Sequence, residues 1–160
     1  MLFRSGENVD NKETLSSIFS GFLNSGANII LATHPRTMRR LWEFGMYNKI
    51  KNSKTLSLLP AIGYFDMLHL MKKCKFIITD SGSIQEEATS PHIRKKVLIV
   101  RMTTDRPESV KDGHSELVGT QSQKIIKAIK KTMKNPKVFT HSSPYGKGNA
   151  SKKIIEILRK

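Results

Sequence analysis

Lys75-Phe76-Ile77-Ile78-Thr79-Asp80-Ser81-Gly82-Ser83-Ile84-Gln85-Glu86-Glu87-Ala88 passes from an apolar run through a small-residue turn into a helical pattern. The run at Phe76 reads as a short buried strand, and the stretch from Ser83 as an amphipathic helix. A strand, a Ser-Gly-Ser turn and a helix start make a ready anion site. The first-turn N–H groups lack intrahelical partners, and the helix dipole stands behind them. Glu87 follows Ser83 by four residues, one turn along the same face. A phosphate at the turn would leave a ribose within reach of the Glu87 carboxylate. A helix that is simply well capped fits this segment equally well.

Outward from this segment, short apolar runs alternate with helical patterns. Asp10-Asn11-Lys12-Glu13 has capping-box spacing, Glu13 standing three residues after Asp10. Leu15, Ile18, Phe19, Phe22 and Leu23 recur at helical spacing, and Gly26 closes that helix. Asn28 to Thr33 reads as a strand ending in His34-Pro35-Arg36-Thr37, with a helix expected over Thr37 to Tyr47. A strand at Leu56 to Leu59, a helix over Tyr64 to Lys73 and a strand at Val97 to Val100 continue the alternation. Leu117-Val118 is a last short strand, Ile125, Ile126, Ile129 and Met133 form a helical stripe, and a terminal helix carries Ile154, Ile155 and Leu158. This order predicts a parallel sheet covered on both faces by helices. Ligands of such sheets bind beyond the carboxyl ends of the strands, where the Ser81 turn falls. Met1-Leu2-Phe3 is too short for a full first strand, so the domain is expected to be cut at its beginning.

The 160 residues suit one domain with a real core. No apolar run approaches the roughly 20 residues of a membrane span, and Glu7 and Asp10 interrupt any signal-peptide h-region. The single Cys74 excludes an internal disulfide and, without Cys or His at ligand spacing, a thiolate zinc site. A reducing cytoplasm is the expected compartment. The net charge of +15 raises nucleic-acid binding. Its 28 Lys and Arg are scattered through every segment, however, with neither zinc-finger spacing nor an RNP-like aromatic motif. Nonspecific polyanion binding at low salt is expected, and no specific nucleic-acid role.

Arg101-Met102-Thr103-Thr104-Asp105-Arg106-Pro107-Glu108 follows the Val97 strand. Two arginines and two threonines there could hold a diphosphate, the arginines through bidentate charge-assisted bonds. Asp105 to Glu108 also fits a plain helix start with proline at its first position. Taken in order, Glu7-Asn8-Val9-Asp10-Asn11, His34-Pro35-Arg36-Thr37, Gly63-Tyr64-Phe65, Thr79 to Ala88, Thr103 to Glu108 and Pro144 to Ser151 resemble the non-hydrolysing UDP-N-acetylglucosamine 2-epimerases, over the carboxyl-terminal half of that family alone.

The resemblance implies a Rossmann-like parallel sheet flanked by helices, the carboxyl-terminal domain of a glycosyltransferase-B-like fold, spanning residues 1–160 and truncated at its first strand. Members of the family interconvert UDP-GlcNAc and UDP-ManNAc by eliminating UDP to a 2-acetamidoglucal and re-adding it on the other face, with no metal or nicotinamide cofactor. By motif matching, Ser81, Gly82 and Ser83 would carry the diphosphate, Glu87 the ribose hydroxyls and Arg106 a phosphate, while Met67 would fall where the uracil is held. Glu7 and His34 match positions that some bacterial members use for a second, regulatory UDP-GlcNAc.

Departures accompany the match. The family's His-Arg-x-Glu-Asn pattern is Phe3-Arg4-Ser5-Gly6-Glu7-Asn8 here, without the histidine, and its Ser-Gly-Gly turn is Ser81-Gly82-Ser83. The Pro91 to Lys96 connection is longer and more basic than the family's, and Lys147 replaces an expected acid. Acid–base work at the sugar C2 needs ionisable groups within hydrogen-bond reach of its proton. The family's catalytic carboxylates belong to the amino-terminal domain, which this sequence lacks. Glu7, Asp80, Glu86, Glu87 and Asp105 are explained by capping, ribose binding or exposure, so no catalytic residue is assigned.

The expected protein is thus the UDP-binding half of an epimerase, inactive alone, with a separately encoded amino-terminal half as partner. A homodimer through the exposed apolar side of the terminal helix is a second expected partnership. The alternatives are a catalytically dead nucleotide-sugar-binding module or a glycosyltransferase fragment. His69 is expected as partly buried filler, and His92, His114 and His141 are given no role. On spacing alone Met67 belongs to a core cluster with Leu70 and Met71.

Overall fold

The computed structural model describes residues 2–136 and 142–159, so His141 lies outside the described residues. In chain order the elements are β1 (Leu2–Phe3), α1 (Gly6–Val9), α2 (Lys12–Leu23), β2 (Ile29–Thr33), α3 (Pro35–Glu43), α4 (Tyr47–Lys51), β3 (Leu56–Leu59) and α5 (Tyr64–Lys73). There follow β4 (Ile77–Thr79), α6 (Gly82–Ala88), β5 (Val97–Ile99), α7 (Pro107–Lys111), β6 (Ser115–Leu117), α8 (Ser122–Lys134) and α9 (Ala150–Leu158). No helix among the described residues is long and apolar enough to cross a membrane.

Every strand pair is parallel. Hydrogen bonding divides the strands into two three-stranded sheets, β1-β2-β3 and β4-β5-β6, with β1 beside β4. Laid side by side they run 3-2-1-4-5-6, the order of a doubly wound nucleotide-binding fold, and the order reverses between β1 and β4. A parallel sheet flanked by helices was the expectation, and parallel pairing throughout agrees with it. Among the described residues, β1 ladders with β2 in the register Leu2 to Ala32 and Phe3 to Thr33 and lies in contact with β4.

Successive strand residues point to opposite faces, and two cores result. Leu31, Ile78 and Leu98 face α2 and α8, packing with Phe19, Phe22 and Ile125. Ala32, Ile77, Val97 and Ile99 face α5 and α6, packing with Met67, Met71, Ile84 and Ala88. Phe22 meets Phe3 and Phe19 edge-to-face, at centroid separations of 6.1 and 5.6 Å. Each such buried ring contributes about 1.5–3 kcal/mol through burial. Helices α2 and α8 approach closely at Gly21, where an added Cβ would stand 2.9 Å from Ile125.

Local capping differs from the sequence expectation. Asn11, not Asp10, caps α2, its side chain accepting from the Thr14 N–H at 2.8 Å. Asp10 instead pairs with Arg36 and Arg40 across to α3, and the Arg36 guanidinium foremost holds its carboxyl below the usual range. The helix expected over Thr37 to Tyr47 begins at Pro35 and stops at Glu43, because Gly45 takes a left-handed φ of 70° before α4. His69 is exposed rather than partly buried. His114, read as a loop histidine without a role, is fully buried before β6, with Nδ1 2.8 Å from Asp112 Oδ2. Helix α9 has no buried residue, and Ile154, Ile155, Ile157 and Leu158 are all exposed.

Candidate functional site

The carboxyl ends of β1, β4 and β5 converge where the strand order reverses. Arg4 and Ser5, Asp80 to Ser83, and Arg101 with Asp105 and Arg106 line a polar cradle there of about 360 Å3. Its floor is Asp80, buried at 3% exposure. One carboxylate accepts the Ser5 N–H at 2.7 Å, the Arg4 N–H at 3.1 Å and the Asn8 amide at 3.3 Å. Asn8 continues to the Val100 carbonyl at 2.7 Å. Asp80 therefore holds β1, α1, β4 and β5 together at the cradle. Burial pushes its carboxyl above the ordinary range, and the Ser5 and Arg4 amides oppose that rise. Capping, ribose binding and exposure, the sequence explanations for this acid, give way to an internal clamp.

Helix α6 opens the cradle wall. Ser81 is its N-cap, yet its side chain makes no capping bond. The hydroxyl instead meets the Ser83 hydroxyl at 3.0 Å. A simply well-capped helix is thus not what the Ser-Gly-Ser turn builds. The Ser81 N–H is committed to Thr79 Oγ1 at 3.1 Å, which leaves the amides of Gly82 and Ser83 as the donors this turn can offer an anion. An added Cβ on Gly82 would meet Arg106 Cγ at 3.6 Å and Cζ at 3.7 Å, so the guanidinium stem lies directly over the helix start.

Arg106 is held by Glu86 through an ion pair to Nε and by the Asp105 carbonyl at 2.8 Å. Glu86 is the main cause of its raised pKa. Arg101 is shared by Glu7 and Asp105, both at 2.9 Å, and these two acids raise its pKa. Glu7, Glu86 and Asp105 are therefore ion-paired. Glu87 differs, because its Oε2 is buried without a hydrogen-bond partner among the described residues. Burial first, and neighbouring Glu86 second, lift its carboxyl above the usual range.

Ser81, Gly82, Ser83 and Arg106 come together in the cradle, with Glu87 one turn further along α6. Met67 does not line it. That residue is buried on α5 and borders a larger apolar cavity at the amino ends of the strands. Glu7 and His34 face different partners. Glu7 binds Arg101, while His34 caps α3, its Nδ1 accepting the Arg36 N–H at 3.2 Å. Sequence reasoning missed Gln85, fully buried, whose Oε1 accepts from Thr104 Oγ1 at 2.8 Å and ties α6 to the loop after β5. It also missed Tyr145, whose buried hydroxyl has no partner among the described residues. The turn-rich Pro144 to Gly148 stretch was the available signal for Tyr145, and Gln85 carried none.

A family model described as UDP-N-acetylglucosamine 2-epimerase matches residues 2–159. A UDP-N-acetylglucosamine 2-epimerase homolog of Methanococcus maripaludis is 39% identical over 153 residues, covering 96% of this chain and 42% of the relative. The UDP-N-acetylglucosamine 2-epimerase of Methanocaldococcus jannaschii is 36% identical, covering 95% of this chain and 42% of its own. A crystal structure of the latter enzyme with UDP-GlcNAc and UDP superposes with a TM-score of 0.86, over 99% of this chain and 44% of that one. The Neisseria meningitidis enzyme bound to UDP-GlcNAc gives 0.77 at 29% identity, over 99% and 43%. This chain thus spans less than half the length of these relatives and corresponds to their carboxyl-terminal half.

Proposed function

Because the chain belongs to the UDP-N-acetylglucosamine 2-epimerase family, we propose that it is the half that grips the UDP of a UDP-N-acetylhexosamine. One observation carries this reading: a helix start whose capping hydroxyl is turned from its own amides lies beneath an arginine, at the point where the strand order reverses. The Gly82 and Ser83 amides and the paired serine hydroxyls take the diphosphate. Arg106 shifts from Glu86 to a phosphate oxygen. Because Glu86 already holds the guanidinium over the turn, little side-chain freedom is lost on binding. Glu87 Oε2 accepts from a ribose hydroxyl.

Epimerisation is proposed to need the remainder of the relatives' length, which these residues do not include. Removing the C2 proton requires an acid or base at that carbon. Of the acids around this site, Asp80 is spent on backbone amides, and Glu7, Glu86 and Asp105 on arginines. The 160 residues alone therefore bind UDP weakly and turn over nothing. Glu7 and His34, each engaged within the protein, take no ligand in this proposal.

Calorimetric titration with UDP and UDP-GlcNAc tests it, with Arg106→Ala alongside. A charge-assisted bond is worth about 1.5–3 kcal/mol, so the variant should lose about 10–100-fold in affinity. The solvent-screened Arg106–Glu86 pair contributes little to the fold, so the variant stays folded. Absence of UDP binding to the folded wild type, or epimerisation by the purified chain alone, would refute the proposal.

A further inference from the structure

Arg106 is held at two levels by consecutive residues of α6. Glu86 pairs with its guanidinium, and that pair is partly open to solvent. Gln85, fully buried, holds its main chain through Thr104. The Thr104 hydroxyl oxygen stands 2.8 Å from Gln85 Oε1 and 3.1 Å from the Arg106 main-chain nitrogen. Ser109, also fully buried, donates to the Arg106 carbonyl at 3.0 Å, so both main-chain polar groups of Arg106 are tied down.

The direction of these bonds follows from what each group can do. A main-chain N–H only donates, so the Thr104 oxygen accepts from Arg106 and its own proton goes to Gln85. That sets the glutamine oxygen toward Thr104. It leaves Nε2 toward the Ser81 carbonyl, 3.4 Å away, a group that only accepts. One buried amide thus joins the two arms of the cradle, the Ser81 turn and the loop after β5. A glutamate in its place would set acceptor against acceptor at Ser81.

Resting on the reading of the cradle as a diphosphate site, we propose that Gln85, acting through Thr104, is the positioning residue that keeps Arg106 aimed at the phosphates. Glu86 must release the guanidinium when a phosphate takes it. The Gln85–Thr104 tether is untouched by that exchange, because it engages only the main chain of Arg106. It keeps the Arg106 stem over Gly82, where Cγ lies 3.6 Å from an added Cβ, while the end of the side chain changes partner. An untethered loop would have to be ordered at each binding event, at the expense of affinity. Neighbouring positions of one helix therefore supply a fixed anchor and a releasable one.

Gln85 is fully buried, so its replacement tests the fold as well; Thr104 is half-buried and gives the cleaner variant. Thr104→Val keeps the shape and deletes the hydroxyl, whereas Thr104→Ser keeps the hydroxyl. Calorimetric titration with UDP is run on both, and on Thr104→Val combined with Arg106→Ala. Thr104→Val should weaken UDP about tenfold, within the roughly 100-fold that a misplacement of about 1 Å can cost. Thr104→Ser should bind within about twofold of wild type. In the Arg106→Ala background the valine should cost less than about twofold, because the group it misplaces is already gone. The full loss in that background would show that Thr104 acts elsewhere and overturn the proposal. Unchanged affinity in Thr104→Val, or a serine variant as weak as the valine, would overturn it too. A second readout needs no ligand. The Arg106 Nε–H, identified in nitrogen-edited NMR spectra by its absence from Arg106→Ala, should move toward the free-arginine position in Thr104→Val and stay in Thr104→Ser. If it stays in both, the tether does not hold Arg106 and the proposal fails. If it moves as expected while wild type binds no UDP, the positioning stands and the diphosphate reading alone fails.

Discussion

Gly82→Ala separates a glycine needed by the fold from one needed by a ligand. In the folded protein Gly82 is the first residue of α6 and lies outside the left-handed region. An added methyl would meet Arg106 Cγ, Cζ and Nε at 3.6, 3.7 and 3.9 Å, ordinary contact distances that need no rearrangement. Alanine also restricts the unfolded chain, so the variant should gain about 0.4–1 kcal/mol. For a domain of this size that is a Tm rise of about 1–4 °C. Binding should move the other way. The methyl fills the space between α6 and Arg106 through which an anion reaches the amides, and a charge-assisted bond needs an approach of about 2.7–2.9 Å. Loss of one such bond costs about 1.5–3 kcal/mol, so UDP affinity should fall by at least about tenfold. Thermal melts and calorimetric titration on the same preparation read both signs. Unchanged UDP affinity in a stabilised variant would refute diphosphate binding at this turn, and a destabilised variant would refute the packing described around Gly82.

Glu87→Gln should remove a pH dependence of stability. The Glu87 carboxyl is lifted above its ordinary 4.5, so the folded protein holds this proton more tightly than the unfolded chain. Wild type should therefore gain stability over the variant as pH falls from the raised value toward 4.5 and lose that advantage on the way back up; melts in stepped buffers that stay parallel would contradict this. Gly21→Ala sets about 1–3 kcal/mol of overpacking against Ile125 against a gain of up to about 1 kcal/mol in helix propensity. Its Tm should fall, and an unchanged melt would show that α2 and α8 can part freely. Replacing exposed Ile157 and Leu158 with lysine should leave the melting curve in place while reducing self-association in sedimentation; identical sedimentation of both proteins would show that the apolar side of α9 mediates none.

Much of this architecture was legible in the chain because it is written in local period. Ile29 to Thr33 and Val97 to Ile99 are continuous apolar runs, Leu15 to Phe22 recur at helical spacing, and these patterns name element and face without knowledge of neighbours. The Ser81-Gly82-Ser83 turn with Glu87 was legible for the same reason, as a strand end and a helix start adjoin in sequence. Asp10 was misread because a capping box is only a spacing. Two arginines on α3 compete for that carboxylate, and nothing near residue 10 announces them.

The sequence by itself therefore determined the alternation of helix and strand, the apolar faces and the small-residue turn, since each depends on residues a few positions apart. Only the tertiary structure decided that Asp80 is a buried clamp on amides 75 and 76 residues away and that Glu86 holds Arg106. These outcomes depend on which strands become neighbours. That choice is made by burying all the apolar faces together, and no short window of the chain contains it.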